Sequence, residues 1–271
     1  MSRVTLCTLR ERRAAACPIT ALTAYDASFA RVLDQNDIDV VLVGDSLGMV
    51  IQGHDDPLRV TLDHLVYHTA AVARAASRMM VMADLPFLAD ASSAVAIEAA
   101  GALLRAGAQV VKLECRTPAH AEIVAALTRC GIPVCAHIGL TPQSVHLLGG
   151  FRQQGREPDD ANALVELQSA LQAAGAVMLL WEAIPDLLAR RLSESAQVPT
   201  IGIGAGSASD GQVLVLHDVI GLSSRAPRFA RCFLDGVNAG TIDQAVAAYA
   251  AAVRSRAFPL ESTPSSSSRG A

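Results

Sequence analysis

Short apolar runs alternate with stretches of helical period along most of this chain, and that alternation narrows the folds open to it. The runs are PITALTAY (18–25), VVLVGD (40–45), MMVMADLPF (79–87), VVKLE (110–114), VCAHIGL (134–140), VMLLWEA (177–183), PTIGIGAG (199–206) and GQVLVLHD (211–218). Each has the length and β-branched character of a strand. Helical stretches lie between most of them, over residues 26–36, 61–76, 93–106, 118–130, 162–174 and 185–196. Thr61 and Ser93 read as N-caps, and Gly107, Gly131 and Gly175 as C-terminal stops. The last two strands are joined by SASD, too short for a helix of its own. Two further helices, about 227–235 and 241–256, follow the last strand. Eight strands in βα alternation predict an α/β chain folded as a (β/α)8 TIM barrel rather than an open doubly wound sheet. The expected organisation is one catalytic barrel domain over 1–261 and a Ser-rich tail, STPSSSSRGA (262–271), without fixed structure.

Composition excludes several other roles. The 271 residues are 51% apolar, enough for a substantial core, and carry a net charge of −4 with no basic stripe. A nucleic-acid partner is therefore not expected. No apolar run approaches the roughly 18 residues of a membrane span, and the first residues lack the apolar centre of a secretory signal. Cysteines 7, 17, 115, 130, 135 and 232 show no C-x-x-C and no metal-finger spacing, so they read as reduced thiols. The expectation is a cytoplasmic protein.

In a barrel of this kind the chemistry sits at the C-terminal ends of the strands. The second apolar run ends in Asp45, the third reaches Asp84, the fourth carries Lys112 and Glu114, the fifth His137, and the sixth Glu182. Five consecutive strands thus bring ionisable groups toward one mouth. Burying them is costly unless they pair or hold a cation. Asp45, Asp84 and Glu114 come from neighbouring strands and are hard oxygen donors, which favours Mg2+ over zinc. Lys112 is the only lysine in the chain, where arginine supplies every other strong base. Strand alternation puts it on the same face as Glu114. It suits either a Schiff base or a charged contact to a substrate oxygen, and neighbouring carboxylates favour the charged form. Glu182, set apart from the acid cluster, has the placement of a general base. Its neighbour Trp181 should point outward, toward the helices.

The segments TAYDASFA, VLVGDSLGMVIQGHDDPLRVTLDHLVYHTAAV, ADLPF, VKLE, AHIGLTPQSV, GGFRQQGR and IGIGAGSASDGQVLVLHD, in that order, resemble the 3-methyl-2-oxobutanoate hydroxymethyltransferase (ketopantoate hydroxymethyltransferase) family. The resemblance runs over about residues 3–258, and VGDSLGM…QGHD is its most specific part. It implies a barrel of the phosphoenolpyruvate/pyruvate type and a homodecamer. It also implies one Mg2+ per subunit associated with Asp45, Asp84 and Glu114. Substrate contacts fall on Asp45, Ser46, Asp84, Lys112 and His137, and the proton acceptor on Glu182. The implied reaction transfers a hydroxymethyl group from the co-substrate 5,10-methylenetetrahydrofolate to 3-methyl-2-oxobutanoate, giving 2-dehydropantoate for coenzyme A synthesis through an enolate. The chain departs from the family's usual pattern at Trp181 and over IGLSSRAPRF (220–229).

Three other readings of the same residues stand beside this one: a C–C lyase, for which Cys115 is the nearest thiol, a Schiff-base aldolase using Lys112, and a non-catalytic ring subunit. IGIGAG (201–206) resembles a dinucleotide fingerprint but lacks the following long helix and reads as a strand-end turn. GGFRQQGR (149–156) is read as a loop over the mouth, an oligomer contact or plain surface. His64 and His68 share a helix face without an acid and are expected to be structural, and Asp55 and Asp56 to sit in a surface turn.

Overall fold

Eight parallel strands close on themselves in sequence order, β1 to β8, with β8 pairing back to β1. The structure is a computed structural model and describes residues 3–223, 225–235 and 240–259. The strands are β1 Ile19–Thr23, β2 Val40–Val43, β3 Met80–Asp84, β4 Val110–Glu114, β5 Val134–Gly139, β6 Met178–Glu182, β7 Thr200–Ile203 and β8 Gly211–Leu214. All eight fall inside the apolar runs, and the (β/α)8 expectation holds.

The alternation of strand side chains sorts the core into two layers. Ile19, Ala21, Val40, Leu42, Met80, Met82, Val110, Cys135, Met178, Leu180, Ile201 and Val213 fill the barrel interior. Residues of the other parity, such as Leu22, Val41, Val81, Val111, Ala136, Leu179 and Trp181, pack beneath the helices. Trp181 is fully buried there and its indole Nε1 donates to Gln168 Oε1 at 2.9 Å. It faces the helices, as expected.

The helices Ala27–Gln35, Leu62–Ala75, Ser93–Ala106, His120–Arg129, Pro158–Ala173, Asp186–Ser195 and Ile242–Arg254 cover the barrel. Thr61 caps its helix as read from sequence, but Ser92 rather than Ser93 is the other cap, accepting from the Val95 N–H. The helix expected at 227–235 does not form among its residues, although Phe233 is buried and Phe229, Ala230 and Leu234 pack against the core. His217 and Asp218 leave β8 for a short helical turn, Leu216–Val219. The expected tail at 262–271 lies outside the described residues.

An unexpected helix, Leu6–Ala14, closes the N-terminal end of the barrel. Leu9 enters the interior core, and Arg12 Nη2 meets the buried Asp39 carboxylate at 2.8 Å. No helix among the described residues is long and apolar enough to cross a membrane.

Where β5 meets β6, the backbone leaves room for glycine alone. Gly139 sits at φ +98, and a Cβ there would lie 2.3 Å from the carbonyl oxygen of Glu182. Gly139→Ala combines left-handed strain with overpacking, so it should destabilise the protein by about 2–4 kcal/mol. It should also displace the end of β6. Urea unfolding of the variant beside the wild type measures the first effect.

Candidate active site

The interior parity that buries Val110 also turns Lys112 and Glu114 inward at the C-terminal mouth. Register brings their neighbours alongside: Asp84 pairs with Lys112, Glu114 with His137, and Gly139 with Glu182. Asp45 and Ser46 come from the turn after β2. Asp45 donates its backbone N–H to Asp84 Oδ2 at 2.9 Å. Gly44 permits this approach, since a Cβ there would stand 3.3 Å from Asp84 Oδ2 and 2.9 Å from Ser46 Oγ.

Lys112 lies at the centre. Its Nζ is 2.9 Å from Asp84 Oδ1 and 3.4 Å from His137 Nδ1, and the residue is only 6% exposed. Burial alone lowers a lysine pKa, but Asp84, Asp45 and Glu114 outweigh it and hold Lys112 above its ordinary value. It is a fixed ammonium. The acids feel the opposite pressure. Burial, then the charge of Asp84, pushes Asp45 up to about 7. Burial, then the charge of Asp45, raises Glu114 well above the usual carboxylate range.

Glu182 stands on the far side of His137. Burial pushes its carboxyl up to about 7, although Lys112 pulls the other way. His137 is fully buried, its Nε2 3.3 Å from Glu182 Oε2 and its Nδ1 3.8 Å from Glu114 Oε1. Burial, then the Lys112 charge, drives its pKa well below 6.5. The ring is neutral, and with Nδ1 turned to the lysine its proton belongs on Nε2, facing Glu182. The residue after Glu182, Ala183, adopts a left-handed φ of 45 and is held by a bond from its own N–H to Ile203 O and one from Gln154 N–H to its carbonyl. Strain is thus localised beside Glu182. It is Gln154, within GGFRQQGR, that ties this loop to the end of β6.

All the residues singled out from the sequence, Asp45, Ser46, Asp84, Lys112, Glu114, His137 and Glu182, therefore come to one mouth. Two others were not read from it. Tyr25 places its hydroxyl 2.8 Å from Ser46 Oγ, and Gln143 bonds to both Asp45 and Glu114. Tyr25 ends the first apolar run, a position that carries the signal; Gln143 lies in an ordinary-looking turn and carries none. His64 and His68 are structural: His64 Nδ1 completes the cap with Thr61, and His68 Nδ1 meets the Tyr25 carbonyl. Among the described residues no three His, Cys, Asp or Glu side chains form a ready metal cage. Asp45 and Asp84 adjoin, while Glu114 is drawn toward Gln143.

Fold and mouth together define a barrel enzyme scaffold with a charged ammonium set among carboxylates. The barrel is shared with phosphonopyruvate hydrolase, solved with oxalate and Mg2+, at a TM-score of 0.62 and 14% identity, covering 82% of this chain and 84% of that one. It is shared as well with 2,3-dimethylmalate lyase, a member of the PEP mutase/isocitrate lyase superfamily, at a TM-score of 0.59 and 16% identity over 77% and 80% of the two chains. Residues 3–261 match the ketopantoate hydroxymethyltransferase family model. The chain is 52% identical to the 3-methyl-2-oxobutanoate hydroxymethyltransferase of Chromohalobacter salexigens, over 96% of this chain and 98% of that one. It belongs to the ketopantoate hydroxymethyltransferase family.

Removing the central charge while keeping the volume tests this electrostatic account. Lys112→Met leaves Asp84 and its neighbours buried without their cation, so stability should fall by about 3–5 kcal/mol. Denaturant unfolding at pH 8 is the measurement; a loss below about 1 kcal/mol would mean that solvent already screens the cluster.

Proposed function

We propose that this chain is a 3-methyl-2-oxobutanoate hydroxymethyltransferase, transferring a one-carbon unit from 5,10-methylenetetrahydrofolate to 3-methyl-2-oxobutanoate and giving 2-dehydropantoate for pantothenate synthesis. Family membership supports the reaction. The observation that carries the mechanism is Glu182, a carboxyl raised to about 7 by burial and set 3.3 Å from the His137 ring whose other nitrogen meets the charged Lys112.

The keto acid offers a carboxylate, a keto oxygen and a C3 hydrogen made acidic by that ketone. Glu182 accepts the C3 proton, because a carboxylate with a pKa near neutrality is both ionised and basic enough to take it. Negative charge then develops on the former keto oxygen. Lys112 stabilises it, since a buried ammonium already oriented by Asp84 needs no reorganisation as charge appears. Water breaks both carbon–nitrogen bonds of the methylene bridge, releasing tetrahydrofolate and the one-carbon unit as formaldehyde; C3 adds to its carbon, and the aldehyde oxygen takes a proton to become the hydroxyl. Ser46 and Asp84 line the same mouth and serve as substrate contacts. His137 has no open surface in this arrangement, so its contribution runs through Lys112 and Glu182.

The acids fit a Mg2+ ion. They offer only oxygens, burial and then the charge of Asp84 raise Asp45, burial and then the charge of Asp45 raise Glu114, and Glu114 Oε1 is buried with no hydrogen-bond partner. Asp45 and Asp84 would hold the ion, with Glu114 beside them. Mg2+ typically takes one or two carboxylates and completes its shell with water and substrate, so a closed cage is not required. Bound there, it supplies Lewis-acid polarisation of the 2-oxo acid.

The competing chemistries fit less well. A Schiff base needs a neutral amine, and three carboxylates keep Lys112 charged. A lyase thiol would have to reach the mouth, but Cys115 is 1% exposed among the residues under the helices. The working form proposed is a cytoplasmic homodecamer. Exposed Tyr67, Leu147, Leu187 and Leu222 give the barrel apolar surface to bury in such an assembly.

Purified protein supplied with both substrates and Mg2+ should form 2-dehydropantoate. Below the Glu182 pKa the base is protonated, so kcat/KM should fall about tenfold per pH unit under pH 7 and level off above it. Absence of product from folded protein would overturn the assignment. A profile flat from pH 5.5 to 8.5 would remove Glu182 as the base.

A further inference from the structure

Gln143 stands among the proposed cation-binding acids without any charge of its own. It belongs to the 3-10 turn Pro142–Ser144 that follows β5. Its side-chain Nε2 donates to Asp45 Oδ2 at 2.8 Å and to the Leu85 carbonyl at 2.9 Å, and its backbone N–H donates to Glu114 Oε2 at 3.0 Å. These acceptors come from the ends of β2, β3 and β4. One residue after β5 thus ties together the tips of the three strands that carry the acids.

The bonds are selective by oxygen. Both hydrogens of the carboxamide nitrogen have acceptors, so the amide has one orientation. Of the two Asp45 oxygens, Gln143 takes Oδ2 and leaves Oδ1. Of the two Glu114 oxygens it takes Oε2 and leaves Oε1, which is buried with no hydrogen-bond partner, 3.8 Å from His137 Nδ1. The donor is also neutral. A lysine or arginine in this place would compensate the acids itself and repel an incoming cation, whereas an amide orients them without altering their charge.

We infer that Gln143 is a positioning residue for cation binding: by holding one oxygen each of Asp45 and Glu114 it fixes which oxygen of each acid is presented to a divalent cation. This rests on the reading of these acids as a cation site. Outer hydrogen bonds of this kind orient ligating carboxylates, and losing one weakens metal binding by about 10–100-fold.

The test uses Mn2+ alone as probe, titrated into the full chain without substrate and followed by the paramagnetic resonance of the free ion. Gln143→Met keeps an unbranched side chain of similar length and removes both side-chain donors. Gln143→Asn keeps the amide but withdraws it by one methylene, and guards against a folding failure of the first variant. Both should bind Mn2+ about 10–100-fold more weakly than the wild type. Thermal midpoints should stay close to it, since a merely structural role would lower the midpoint and leave the affinity of folded protein unchanged. Wild-type affinity in either folded variant overturns the inference while leaving the cation site standing. A wild-type chain that binds no Mn2+ removes the cation site itself, and the inference with it.

Discussion

The ammonium of Lys112, buried among carboxylates, is the interaction on which the rest of the mouth depends. Asp45, just past β2, and Asp84, Glu114 and Glu182, the last residues of β3, β4 and β6, all approach one small volume. Without a cation at the centre, their carboxylate charges would be buried together with nothing to offset repulsion and desolvation. With it, Asp84 has a partner at 2.9 Å, and the residual strain shows in the raised pKa values of Asp45, Glu114 and Glu182. A compact ammonium on a flexible stem suits this place. A guanidinium would bring a planar fork of five donors into space shared by Asp84 and His137.

The barrel supplies the geometry by register and parity alone. Asp84 lies beside Lys112 and Glu114 beside His137 because β3, β4 and β5 are paired in that register, and the two-residue strand period turns Lys112 and Glu114 inward together. Local devices refine it. Gly44 lets Asp84 reach the backbone of Asp45, Gly139 lets β5 close on the carbonyl of Glu182, and Ala183, next to Glu182, adopts a left-handed conformation. Gln143 draws the acid-bearing tips together from the neighbouring loop.

Much of this was legible in the sequence because it follows from periodicity. The eight strands and the inward pairing of Lys112 with Glu114 need only strand length and alternation, and Trp181 facing the helices follows from the same parity. What escaped depends on non-local contacts. The closing helix Leu6–Ala14 is mostly polar and is held by Leu9 and by Arg12 with Asp39, a partner no local pattern predicts. The helix expected at 227–235 fails although Phe229, Ala230, Phe233 and Leu234 still reach the core, because apolar content records burial and not the backbone conformation that delivers it. Gln143 acts through partners 29 and 98 residues away in sequence, and Gln in a turn carries no signal until the fold brings Asp45 and Glu114 to it.

The central claim is that Glu182 takes the C3 proton while Lys112 stabilises the charge that results. Proton NMR of 3-methyl-2-oxobutanoate in D2O, with enzyme and Mg2+ but no folate, reads this half-reaction directly. Wild-type enzyme should exchange the C3 hydrogen for deuterium, and Glu182→Gln should slow that exchange by at least about 100-fold while still binding the keto acid. Exchange at the wild-type rate in Glu182→Gln would contradict the account, because another group would then be removing the proton.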